Sequence, residues 1–136
     1  MEVKLLNDNL WYPTDKIFIN GQWKDCHSKN RLPIENPSNG EVIAEISDSC
    51  DIDIDEAVNS ASKALDNSWG DLTASERGRL LLKLSELVRN RIDNLAIIES
   101  IDVGKPLKQA KSDALALARY FEFYGGASDK IMGETI

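Results

Sequence analysis

The sequence predicts two β-hairpins followed by about four α-helices, and three observations carry that prediction. Before residue 50, short β-favouring runs meet turns built on Asn20-Gly21 and Pro37-Ser38-Asn39-Gly40. From Asp51 onward the apolar residues recur at three- and four-residue steps, the period of a helix with one apolar stripe. Nowhere does a Val- and Ile-rich run lead into a glycine-rich turn, so no parallel sheet is expected.

Residues 1–15 have mixed polarity, Pro13 and no periodicity, and are expected to form a flexible arm. Lys16-Ile17-Phe18-Ile19 and Gln22-Trp23-Lys24 then flank Asn20-Gly21. Both turn residues tolerate the positive φ that a tight primed turn demands. The second hairpin is expected over Arg31–Asn36 and Glu41–Ile46. Pro33 donates no backbone hydrogen bond, which marks its strand as an edge or an external ribbon.

Ile54, Ala57, Val58, Ala61, Ala64 and Leu65 form the expected stripe of the first helix, closed by Trp69-Gly70. Asp51, Asp53 and Asp55 crowd its start, where the helix dipole favours negative charge. A calcium loop is the alternative, but the glycine and distal glutamate of such a loop are missing. Thr73-Ala74-Ser75-Glu76 has the form of a capping box and opens a helix with Leu80, Leu81, Leu84, Leu87 and Val88 on one side. The pattern restarts as Ile92, Leu95, Ala96, Ile98 and Ile101 until Gly104-Lys105-Pro106 stops it. A last helix is expected from about Leu107 toward Lys130, with Ala110, Ala114, Leu117, Phe121 and Tyr124 on one stripe and Gly133 as terminator, and nothing in the sequence evidently covers all of these apolar stripes.

Composition narrows the function classes. The formal charge of -7 and pI near 4.7, with scattered Lys and Arg, disfavour nucleic acid and anionic membranes as partners. No stretch approaches the ~20 apolar residues of a membrane span, and no signal-peptide pattern opens the chain, so a cytoplasmic location is expected. Cys26 and Cys50 lie too far apart for a close-spaced redox or zinc pair, and each is read as a plain reduced thiol. His27, the single histidine, is read as a loop residue: neighbours on an extended segment point to opposite faces, so adjacency to Cys26 does not make a dyad.

Four signatures in order carry more. Phe18-Ile19-Asn20-Gly21-Gln22-Trp23, Asn36-Pro37-Ser38-Asn39-Gly40-Glu41-Val42-Ile43, Asp102-Val103-Gly104-Lys105-Pro106 and Tyr124-Gly125-Gly126-Ala127-Ser128-Asp129-Lys130 together resemble the opening quarter of an NAD(P)-dependent aldehyde dehydrogenase. The resemblance covers Lys16 to Ile136. It implies an α/β enzyme whose cofactor-binding domain begins with residues 16–136, truncated before the parallel dinucleotide-binding sheet. It also implies covalent catalysis by a cysteine thiolate, hydride transfer to NAD or NADP, and hydrolysis of a thioester to a carboxylic acid. The family's catalytic and cofactor-binding residues have no counterpart here, so none is assigned, and the chain alone is expected to be inactive and to bind no cofactor. The end at Gly133-Glu134-Thr135-Ile136 shows no cap or charged tail, and interruption is expected over a natural terminus.

Two lesser sites follow from the resemblance. A structural monovalent cation is implied at the Asp102 carboxylate with backbone oxygens of Ile34 or Glu35, a donor set that suits a hard cation. The alternative is that Asp102 only helps close its helix. Ser112, Ala116 and Tyr120 correspond to a face lining the mouth of a substrate tunnel, small residues leaving it wide for bulky or aromatic aldehydes. The alternative there is ordinary helix packing. The full-length enzyme is expected to be a homo-oligomer acting on a small-molecule aldehyde. A non-catalytic module that docks on full-length subunits is the competing function.

Overall fold

The computed structural model describes residues 14–134. Its elements are β1 (Ile17–Ile19), β2 (Gln22–Lys24), β3 (Arg31–Glu35), β4 (Val42–Ser47), α1 (Asp51–Asp66), α2 (Ala74–Arg89), α3 (Ile92–Val103) and α4 (Leu107–Ala127). The two hairpins and four helices are those expected from the turn chemistry and the change of period. Residues 1–13 of the expected arm lie outside the described residues; Thr14 is buried, and its carbonyl accepts from Ser47 N at 3.1 Å.

The chain divides into two compact units. One joins residues up to Asn67 with Asp102–Gly104; the other joins Ser68–Ile101 with Lys105 onward. In the first unit, β1 and β2 pair antiparallel around Asn20 and Gly21, both with positive φ (54° and 74°), as a primed turn requires. Phe18 stands opposite Trp23, with ring centroids 5.0 Å apart. The second ribbon runs from Arg31↔Ser47 to Glu35↔Val42, with a bulge beside Ile34. Its turn is fastened by Asn36, whose side-chain oxygen accepts from Ser38 N at 3.0 Å, while Gly40 sits at φ 72°. Both sheets have two strands, so Pro33 lies on an edge as expected.

The helices form where expected and turn mainly their small residues inward. Within its unit, α1 turns Asp53, Ala57, Ser60 and Ala64 inward, while Ile54, Val58 and Leu65 are 55%, 59% and 62% exposed. In the second unit, α2 turns Gly78, Leu81, Ser85 and Val88 inward and leaves Leu80, Leu84 and Leu87 exposed. The inner face of α4 is Ala110, Ala114, Ala118, Phe121 and Gly125, and Leu117 and Tyr124 point outward. The physical reason is close approach. At the α2–α4 crossing a Cβ on Gly78 would lie 2.5 Å from the Gly125 carbonyl oxygen, and one on Gly125 would lie 3.0 Å from that of Gly78. Helices this near admit only small side chains between them. Ser85 completes the seam, its hydroxyl donating to the Ala118 carbonyl at 2.7 Å.

Helix ends follow local chemistry. Thr73 and Glu76 make the expected capping box: Thr73 Oγ1 accepts from Glu76 N at 3.3 Å, and Glu76 Oε2 accepts from Thr73 N at 2.8 Å. The Thr73 donors hold the Glu76 carboxyl below its ordinary range. The first helix closes earlier than Trp69, at Asp66, and Asn67 Nδ2 donates to the Lys63 carbonyl at 2.8 Å. The last helix ends at Ala127, short of Lys130, where the Ser128 hydroxyl donates to the Tyr124 carbonyl at 2.8 Å. Gly133 lies beyond it and terminates nothing.

Candidate functional site

The residues singled out by the sequence fall at two places, one in each unit. In the first unit, α3 runs into Gly104, which adopts φ 71°. A Cβ there would meet Pro37 Cγ at 2.8 Å, so the Asp-x-Gly segment lies directly against the turn of the second hairpin. Asp102 is exposed two residues before this contact, and Ile34 and Glu35 end the strand leading into the turn. The segment that bears the carboxylate and the hairpin that bears the two carbonyls therefore belong to one compact unit. Among the described residues, no group of three or more His, Cys, Asp or Glu side chains is arranged to hold a metal ion.

Lys105, the next residue after Gly104, belongs to the second unit and is an ion-pair anchor. Its ammonium donates to Asp113 at 2.8 Å and to Glu99 at 2.6 Å, and these carboxylates, Asp113 first, raise its pKa. The Ser100 hydroxyl donates to the Lys105 carbonyl at 2.8 Å. The lysine thus ties the end of α3 to the second turn of α4 and has no free charge to offer a substrate.

On α4, Ala116 and Tyr120 line an open cavity of about 460 Å³ together with Arg119, Phe123 and Tyr124. These five positions follow helical spacing along one side of a single helix. Tyr124, expected on the stripe of Ala114, Leu117 and Phe121, belongs to this wall and is 60% exposed. Ser112 is not part of the lining; its hydroxyl donates back to the Lys108 carbonyl at 3.2 Å. The wall is largely aromatic, with Phe123 and Tyr124 edge to face at 5.2 Å.

A third cluster escaped the sequence reading. Asp53 is 1% exposed, the only large side chain in the described residues that is so completely enclosed. Its Oδ2 accepts from Cys26 Sγ at 2.9 Å, from Cys50 N at 3.0 Å and from Cys50 Sγ at 3.3 Å. Its Oδ1 accepts from His27 N at 3.1 Å and from His27 Nδ1 at 2.8 Å, which puts the ring proton on Nδ1. The Cys26 thiol first, then the His27 ring, hold the Asp53 carboxyl far below its ordinary range, against the cost of burial. Asp53 does cap α1, as expected, through Cys50 N. It also gathers Cys26 and His27, which strand alternation was expected to separate, and Cys50, which lies far from both in sequence. Beyond Lys24 the backbone is no longer a strand, so the alternation that would separate Cys26 from His27 does not apply.

The described residues thus form two ribbons and four helices with an Asp-x-Gly-Lys-Pro reversal between the last two helices. The model of the aldehyde dehydrogenase family matches residues 23–136, and the chain belongs to that family. It is 42% identical over 131 residues to retinal dehydrogenase 2 of Homo sapiens, a match covering 94% of this chain and 25% of that protein. An aldehyde dehydrogenase from Bacillus cereus superposes with a TM-score of 0.85 at 32% identity, covering 91% of this chain and 26% of the other. A betaine aldehyde dehydrogenase from Staphylococcus aureus, solved with NAD+, gives 0.83 at 30% identity over 90% of this chain and 25% of the other. The chain thus spans about a quarter of the length of the relatives it matches.

Proposed function

We propose that these residues are the N-terminal portion of an NAD(P)-dependent aldehyde dehydrogenase that oxidises an aldehyde to a carboxylic acid, and that the 136 residues alone are catalytically silent. The observation that carries this reading is the match to the family along residues 23–136. The same stretch superposes on a protein solved with NAD+. The described residues do not themselves form a dinucleotide cradle. Their sheets are two-stranded antiparallel ribbons, and no glycine-rich turn follows a parallel strand. No chemical step is therefore assigned to them.

Their contribution is architectural. The Ala116–Tyr120 side of α4 is proposed as a wall of the substrate entrance, and the Asp102 turn with the Ile34 and Glu35 carbonyls as a monovalent cation site. The assembled enzyme is proposed to be a cytoplasmic homo-oligomer. No helix among the described residues is long and apolar enough to cross a membrane.

The test is to express the whole reading frame that contains these residues and follow reduced nicotinamide with NAD+ or NADP+ across a panel of aldehydes. Aldehyde-dependent turnover by the long product, and none by residues 1–136, is the expected result. Within the active product, Ala116→Met should penalise bulky aldehydes more than acetaldehyde, and equal losses remove the entrance role. Asp102→Ala should abolish a potassium or sodium dependence of thermal stability; unchanged dependence removes the cation. Should the frame close after Ile136, with the chain forming a stable complex with a full-length dehydrogenase subunit, the docking-module reading replaces the enzymatic one.

A further inference from the structure

We propose that Cys26 and Cys50 are a modification site: a thiol pair that a peroxide converts to an intramolecular disulfide at the foot of the second hairpin. The fold brings the two residues together. Asp48 N donates to the Asn30 carbonyl at 3.1 Å, extending the ladder below Arg31↔Ser47 and drawing the two ends of the hairpin to one point. Cys26 lies just before this foot and Cys50 just after it, as the N-cap of α1. Both sulfurs donate to the same oxygen, Asp53 Oδ2, at 2.9 and 3.3 Å. The two sulfurs are therefore no farther apart than those two distances laid end to end.

Three further features favour the bond. Cys26 lies in irregular backbone and Cys50 at an extended helix cap with φ -103° and ψ 176°, so neither is locked into the ladder of a strand or the interior of a helix. Forming the bond requires the two side chains to turn off Oδ2 and toward each other. Both thiols are half-buried and free, open enough for a molecule of peroxide size. Above all, losing both thiol protons leaves no orphaned charge. Asp53 keeps Cys50 N, His27 N and His27 Nδ1 as donors, so its buried carboxylate stays satisfied in either state.

The reaction balances with hydrogen peroxide as oxidant. One cysteine sulfur attacks a peroxide oxygen, the O–O bond breaks, and a sulfenic acid and one water result. The second sulfur then attacks the sulfenic sulfur, the S–O bond breaks, and the hydroxyl leaves with the second thiol proton as another water. Two thiols are oxidised by two electrons and one peroxide is reduced to two waters. The product encloses the whole of β3 and β4 in a covalent loop.

The experiment treats the full-length protein with hydrogen peroxide at neutral pH, quenches it with iodoacetamide and maps its peptides by mass. The expected result is a Cys26–Cys50 cross-linked peptide two hydrogens lighter than the pair, a matching loss of alkylation at both positions, and a rise in thermal midpoint that dithiothreitol reverses. Cys50→Ser keeps a hydroxyl donor for Asp53 and should fold normally by circular dichroism. In that variant Cys26 should be trapped by dimedone as a sulfenic acid, with no cross-link. Persistent alkylation of both cysteines under excess peroxide, or their cross-linking only to other cysteines or other molecules, overturns the proposal.

Discussion

The two units of this chain are held together by opposite means. In the first, α1 and the irregular segment after β2 meet around one buried carboxylate that accepts five hydrogen bonds from Cys26, His27 and Cys50. In the second, α2 and α4 meet through Gly78, Gly125 and a line of alanines, with one hydroxyl bond from Ser85. A polar hub tolerates variation in shape but depends on its buried carboxylate keeping enough donors. A small-residue seam needs few polar partners but has no room for an added methyl group. Substitutions chosen for size should therefore damage the second unit, and substitutions chosen for charge should damage the first.

The largest effect is expected from Gly78→Val. Its Cβ alone falls 2.5 Å from a backbone oxygen that cannot turn aside, and overpacking of this kind costs on the order of 3 kcal/mol. Chemical unfolding followed by circular dichroism reads it directly; a loss no greater than that of Gly126→Val, where nothing lies within 4 Å, would refute the seam.

Asp53→Asn ranks next and should cost far more stability than the same change at exposed Asp51 or Asp55. The sign of its pH dependence is fixed. A carboxyl whose folded pKa is depressed contributes stability that is complete above its unfolded value of roughly 4 and is lost as pH falls toward the folded value. The gap between wild type and Asp53→Asn should be widest near neutral pH and narrow in strong acid. A gap that stays constant down to about pH 2 would show that the hub is not ionised in the native state.

Thr73→Ala is the smallest of the three. Losing the cap of α2 should cost about 1 kcal/mol, visible as earlier amide exchange in the first turn of that helix. Equal exchange in the two proteins would assign the helix start to tertiary packing alone.

What the sequence made legible was local. Asn20-Gly21 and Thr73 to Glu76 act through neighbours a few residues away, so their chemistry can be read without knowing the fold, and each does what its pattern implies. The large apolar side chains of the helix stripes were expected to have nothing evident to cover them all, but the seam of small residues beneath them was not read. Here Leu80, Leu84, Leu87, Leu117 and Tyr124 point out, and glycine, alanine and serine point in. Hydrophobicity by residue type cannot distinguish a helix that buries bulk from one that buries backbone. The Asp53 hub was invisible for a different reason. Its donors come from Cys26, His27 and Cys50, brought together by a hairpin whose closure no short-range pattern encodes. On α4, Ala116 and Tyr120 share one wall, while Ser112 bonds to its own helix.

The contact between Pro37 and Gly104 bears on the order of events during synthesis. The first unit is discontinuous: its main part ends at Asn67, yet it also includes Asp102–Gly104, and all of α2 with most of α3 lies between. A nascent chain emerging from the ribosome can close the Asn20-Gly21 turn at once. It cannot seat the reversal at Gly104 against Pro37 until the intervening helices have been made. The first unit is therefore complete only once the residues through Gly104 have been made, whereas the pairing of the second hairpin is local.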